Sequence, residues 1–65
     1  MTRHELDNWI VNIENVAADI ELQLGSAVPQ AVLERYGAYS IDDLHSNDLP
    51  NVFSELYAIA ADLKD

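Results

Sequence analysis

The chain has 65 residues, of which twelve are acidic, three are basic and none is cysteine, and its formal net charge is −9. This length allows one small domain, and the lack of cysteine excludes disulfide bridges and cysteine-ligated zinc or redox sites. The excess of acidic side chains opposes direct binding to nucleic-acid phosphates and to anionic membranes, and it favours a basic protein partner.

The first predicted element is a long amphipathic helix over residues 3–24. Thr2 followed by Glu5 matches the T-x-x-E capping box that begins a helix, and Gly25 stands where a glycine commonly ends one. The apolar residues recur at alternating spacings of three and four, which places them on one side of a helix. They are Leu6, Trp9, Ile10, Ile13, Val16, Ala17, Ile20 and Leu24.

A shorter second helix is predicted over residues 27–36. Ser26 precedes it as a candidate N-cap, and Gly37 follows it as a stop. Pro29 falls in the first turn, where the missing N–H is tolerated. Its apolar side consists of Val28, Val32, Leu33 and Tyr36.

The last predicted helix covers residues 49–63. Asp48 is a candidate N-cap and Pro50 again falls in the first turn. Glu55 is predicted to point outward. The apolar face of this helix consists of Leu49, Val52, Phe53, Leu56, Ile59, Ala60 and Leu63.

The polar stretch GAYSIDDLHSNDLP, residues 37–50, connects the last two helices. Ser40 and Asp43 have the spacing of a capping box and predict a one-turn helix over residues 41–44. A metal site here would need Asp42, His45 and their acidic neighbours to converge. Their spacing matches neither a calcium loop nor the H-E-x-x-H zinc motif, so we predict capping and solvation instead.

The predicted fold is all-α. No segment shows the alternation of a half-buried strand. The four elements predict a small helical bundle, a single domain over residues 1–65, in which two longer antiparallel helices pack with the short helix and the one-turn helix. We expect no cofactor. We expect a cytoplasmic location, because no apolar run approaches the roughly 20 residues that span a membrane and no signal-peptide core is present.

Neither catalysis nor DNA binding is predicted. The sequence contains no nucleophile elbow, phosphate-binding loop or dinucleotide fingerprint. Helix-turn-helix proteins share this size, but a recognition helix needs basic or amide side chains at its start. The last helix offers only Asn51 there.

A second apolar stripe lies on the first helix, nearly opposite the core stripe at about 100° per residue. It runs beside an acidic row that repeats every seven residues. Two apolar stripes predict a helix with contacts on both sides, so we predict that these residues bind a partner. The two rows together, the outer face of the first helix, are Asp7, Val11, Glu14, Ala18, Glu21 and Leu22.

Several alternatives to a protein partner remain open. The outer face could form a homodimer, could be ordinary surface, or could be covered by the short second helix. A narrow small-residue face on the last helix, formed by Ser54, Ala58 and Ala61, is a further candidate for close helix contact.

An acidic inhibitor that imitates DNA is the competing functional class. The first helix presents five acidic residues over about 24 Å, whereas duplex DNA presents roughly fourteen charges over that length. One copy is therefore a poor imitation of DNA, and a dimer would be a better one.

The run VLERYGAYSIDDLHSNDLPNVFSELYAIAADL resembles small acidic all-helical accessory proteins of bacterial mobile elements, most of them uncharacterised. The resemblance covers the second half of the chain and is carried by Tyr36-Gly37, S-I-D-D-L, D-L-P and F-S-E-L-Y. These elements are structural, so no activity is carried over to a residue. The resemblance implies a role in host interaction or against host defence. The competing inhibitor, of the anti-restriction, anti-CRISPR or immunity type, belongs to the second of these roles.

Overall fold

The computed structural model describes residues 1–64, and these form three α-helices without a strand. Helix α1 spans Arg3–Leu24, α2 spans Ala27–Arg35 and α3 spans Leu49–Leu63. Two 3-10 turns, Ile41–Asp43 and Ser46–Asp48, lie between α2 and α3. The all-α prediction and the bounds of the two longer helices are confirmed. Helix α2 and the predicted one-turn helix each end one residue early, and the second 3-10 turn was not predicted.

A capping box begins α1, as predicted. The Thr2 hydroxyl oxygen accepts a hydrogen bond from the backbone N–H of Glu5 at 3.2 Å. The Glu5 carboxylate accepts one in return from the backbone N–H of Thr2 at 3.4 Å. Two N–H groups that have no partner within the helix are thereby satisfied.

The other three predicted N-caps, Ser26, Ser40 and Asp48, are wrong. Ser26 and Asp48 make no capping hydrogen bond, since both have helical backbone angles, whereas an N-cap side chain reaches the first turn from an extended backbone. Asp48 also ends a 3-10 turn that runs directly into α3. Ser40 is extended, but its side chain does not cap the three-residue turn that follows.

Helix α2 ends in a Schellman motif. The Gly37 N–H donates to the Glu34 carbonyl at 3.0 Å, and the Ala38 N–H donates to the Leu33 carbonyl at 3.1 Å. Gly37 has a φ of +74°, a left-handed conformation that favours glycine. Both Leu33 and Ala38 are buried, so the motif turns the chain and also brings Ala38 into the core.

The core lies where the three helices meet. The predicted apolar faces of α1, α2 and α3 all contribute to it, because their spacing brings each stripe to the inside. Its buried members are Ile13, Val16, Ala17, Ile20, Val32, Leu33, Ala38, Leu49, Val52, Leu56 and Ala60.

Helices α1 and α3 run in the same general direction, so the predicted antiparallel orientation is wrong. Trp9, near the start of α1, contacts Phe53, near the start of α3, with ring centroids 5.7 Å apart. Asp19, farther along α1, and Lys64, directly after α3, line one groove. Helix α2 and the connector after it carry the chain back between the two longer helices.

The same register explains why Leu24 is 47% exposed, although it was predicted to lie in the core. If residue 9 lies beside residue 53, the last turn of α1 extends beyond the end of α3. Leu24 therefore has no α3 side chain to pack against. The spacing places Leu24 on the core side of α1, but α3 ends too early to cover it.

Gly25→Ala is expected to lower the free energy of unfolding by about 1–3 kcal/mol. Gly25 has φ +86° and ψ 177°, a region almost restricted to glycine. No atom lies within 4 Å of the position of an added Cβ, so the expected loss comes from the backbone alone. Urea denaturation followed by circular dichroism measures it. Gln23→Ala, an exposed change two residues earlier, is the control. Equal stability of the two variants would contradict a backbone conformation at residue 25 that only glycine adopts easily.

Candidate functional site

All six residues of the outer face are exposed. The side chain of Val11 is 52% exposed and that of Leu22 is 86% exposed. Within the part of the chain that the structure describes, neither α2 nor the connector covers the stripe. The alternative in which the second helix wraps over it is therefore excluded.

The outer face forms three parallel rows along α1. The apolar row runs from Val11 to Leu22, about 16 Å along the helix axis. The acidic row lies on one side of it, and the carboxamides of Asn8 and Asn15 lie on the other, as the 100° rotation per residue requires. The result is a narrow apolar strip with a charged border and a neutral polar border.

The core side of α1 is separate from the outer face. Ile13 and Ile20 are fully buried on the opposite side of the same helix. Because no residue of the outer face belongs to the core or packs against it, the fold does not depend on these side chains. Substitutions there can test binding without disturbing folding.

A groove of about 330 Å³ lies between α1 and α3, and it was not predicted from the sequence. One wall is polar and comes from α1; the other is aromatic and comes from α3. Its lining residues are Asn12, Asn15, Val16, Asp19, Phe53, Tyr57, Ala60, Ala61 and Lys64.

The aromatic wall continues a row of three rings. The Trp9 ring meets the Phe53 ring edge to face, and the Phe53 ring stacks on the Tyr57 ring with centroids 5.7 Å apart and planes 29° apart. Tyr57 ends the row and is 59% exposed. The i, i+4 spacing of Phe53 and Tyr57 was a usable signal. An antiparallel arrangement separates this pair from Trp9, which is why the groove was not predicted.

Glu55 does not point freely outward, contrary to the prediction. Its carboxylate accepts a hydrogen bond from the Tyr36 hydroxyl and forms an ion pair with Arg35 at 2.5 Å. These contacts join the end of α2 to α3. The hydrogen bond to Glu55, followed by burial, raises the pKa of the Tyr36 phenol above its ordinary value of 10.0.

The polar connector brings no metal-binding group together. Among residues 1–64, no three side chains of His, Asp or Glu lie close enough to hold one ion. Asp42, Asp43 and His45 are exposed on successive short turns. The small-residue face of α3 is also exposed, and only Ala61 of its three members lines the groove.

Comparison with known proteins gives no relative: no family model, curated protein or solved structure matches this chain significantly. Within residues 1–64, no helix combines the length and the apolar character needed to cross a membrane.

The contribution of Tyr36 to stability is expected to depend on pH. Because its pKa is raised in the folded state, the folded protein holds the phenol proton more tightly than the unfolded chain. This stabilisation is complete below the unfolded value near 10 and is lost as the pH rises through the folded value. The free energy of unfolding of the parent and of Tyr36→Phe, measured from neutral to alkaline pH, should therefore converge only at high pH.

Tyr39→Phe is the control, since the Tyr39 side chain is 83% exposed and outside this contact. It should keep the pH profile of the parent. A difference between the parent and Tyr36→Phe that stays constant through the alkaline range would contradict the hydrogen bond to Glu55.

Proposed function

We propose that the protein is a non-catalytic interaction module that binds a basic protein through the outer face of α1. The observation that carries this proposal is the exposure of Val11 and Leu22 on the side of α1 opposite the core. Single exposed apolar residues are common on protein surfaces. Here they are aligned along one helix and bordered by charge, as in an interface with an apolar centre and a polar rim.

Charge favours a basic partner over a second copy of the chain. Two outer faces in contact would bring two acidic rows together, each on a chain with a formal net charge of −9. Like charges across an interface oppose association, whereas a basic surface is attracted from a distance and then held by the same row. A homodimer through this face would have to overcome that repulsion.

The second candidate function is an acidic inhibitor of a nucleic-acid-binding protein. The exposed row of Asp7, Glu14 and Glu21 favours it, because a protein that binds phosphates presents a complementary basic surface. The resemblance to mobile-element accessory proteins supports the same proposal, as does an expected location in the bacterial cytoplasm. In this function the acidic row supplies the affinity, and the apolar row is secondary.

Leu22→Glu is expected to weaken binding to the partner by about tenfold or more, because burying a leucine side chain contributes roughly 1.5–3 kcal/mol. The tagged chain would first retain proteins from a bacterial lysate. The dissociation constant of each retained protein, purified, would then be measured by calorimetry against the parent and the variant. Circular dichroism should show unchanged helicity.

Ala31→Glu is the matched control. Ala31 is exposed on α2, so this substitution adds the same charge away from the outer face. It should bind like the parent. If Leu22→Glu and Ala31→Glu bind every purified partner equally well, the outer face is ordinary surface.

Salt distinguishes the two candidate functions. Raising the ionic strength from about 0.01 M to about 1 M shortens the Debye length from about 30 Å to about 3 Å. An inhibitor that acts through charge should lose affinity steeply over this range, and Glu14→Gln with Glu21→Gln should flatten the dependence. An interaction module held by the apolar row should lose much less.

Asp42→Asn with Asp43→Asn removes the same charge from the exposed connector and is the control for this series. If the control flattens the salt dependence as much as the outer-face pair does, net charge alone is responsible. That result would argue against a specific acidic row.

A further inference from the structure

The groove between α1 and α3 combines two kinds of wall. The exposed Tyr57 ring, stacked on Phe53, forms an apolar π surface on the α3 side. The Asp19 carboxylate and the carboxamides of Asn12 and Asn15 face it from the α1 side. A flat cation that can also donate several hydrogen bonds complements both walls.

We propose that this groove binds an arginine side chain of a basic protein, with the guanidinium held between the Tyr57 ring and the Asp19 carboxylate. The volume of about 330 Å³ is at the lower end of the range for ligand pockets, and it suits one long side chain. The identity of the partner as a basic protein rests on the proposed function. The arginine site itself uses residues outside the outer face and has its own test.

Arginine fits these walls better than lysine. Its guanidinium group is planar and weakly hydrated, so it can stack on an aromatic ring. In that position the N–H donors of the guanidinium group point outward in its own plane, where an acceptor can reach them. These donors match the Asp19 carboxylate and the amide oxygens of Asn12 and Asn15. The lysine ammonium is a strongly hydrated point charge that cannot stack in this way.

The groove is continuous with the outer face of α1. Asn15 lines the groove and also lies in the amide row that borders Val11 and Ala18. A partner bound to the apolar row would therefore place the side chains beside its contact surface over the groove. The excess of nine negative charges on the chain attracts a cation to both surfaces.

Lys64 is the one lining residue whose charge opposes an arginine. Its ammonium repels a cationic ligand and attracts an anionic one. Removal of the Lys64 charge should therefore strengthen binding, whereas removal of the Asp19 charge should weaken it. An anionic ligand would reverse both signs.

The test uses the full chain and three blocked tripeptides, Gly-Arg-Gly, Gly-Lys-Gly and Gly-citrulline-Gly, titrated in two-dimensional NMR. The arginine peptide should produce saturable shifts at Asn12, Asn15, Asp19 and Tyr57. The lysine peptide should bind more weakly, and the citrulline peptide, which keeps the shape but loses the charge, should give no saturable shift.

Three test variants and two control variants complete the test. Asp19→Asn and Tyr57→Leu should each weaken arginine binding by about two- to fivefold or more, and Lys64→Met should strengthen it. Tyr57 and Asp19 are exposed, so these changes leave the core intact. The controls are Tyr39→Leu and Asp42→Asn, which alter the same residue types outside the groove and should bind like the parent.

Three results would overturn the proposal. Shifts confined to the acidic row of the outer face would show general attraction to negative charge and no groove site. Equal binding of the citrulline and arginine peptides would show that the groove does not require a positive charge on its ligand. Reversed effects of Asp19→Asn and Lys64→Met would show an anionic ligand. None of these bears on Leu22→Glu, so a failed groove site and a failed outer face are distinguishable.

Discussion

The packing of α1 against α3 is the interaction on which the rest of this molecule depends. A 65-residue chain without cysteine has no covalent cross-link to add to a small core. Stability must come from the buried apolar stripes. Their most completely enclosed members are Ile13 and Ile20 on α1 and Leu49, Val52 and Leu56 on α3. One side of α1 packs in this core, and the opposite side makes no packing contact that the fold requires. The outer face follows directly from that division of the helix.

The direction of α3 determines what else the surface can do. Because α1 and α3 run the same way, Trp9, Phe53 and Tyr57 form one aromatic row, and this row becomes a wall of the groove. The parallel arrangement requires a return path, which α2 and the connector provide. The Schellman motif at Gly37 directs that path, and the contacts of Glu55 attach it to α3. The groove and the return path both follow from the parallel direction of α1 and α3.

Local features were the ones that the sequence predicted well. The spacing of apolar residues identified all three helices and nearly all of the core, because the helical period decides which side chains share a face. The capping box at Thr2 and the stop at Gly37 were found because the residue types that begin and end a helix are also local signals. The direction of α3, the groove and the contacts of Glu55 depend on residues far apart in the chain, and local patterns carry no information about them. The N-caps predicted at Ser26 and Asp48 were wrong because both residues themselves have helical backbone angles.

We propose that the outer face is free in the isolated chain and is used by a different, basic protein. Sedimentation equilibrium of the purified chain, from nanomolar to high micromolar concentration, tests this most directly, together with circular dichroism to show that the chain is folded. We expect a folded monomer with a mass of 7.3 kDa at every concentration. A stable dimer that Leu22→Glu dissociates would contradict it, because the outer face would then be occupied by a second copy of the chain.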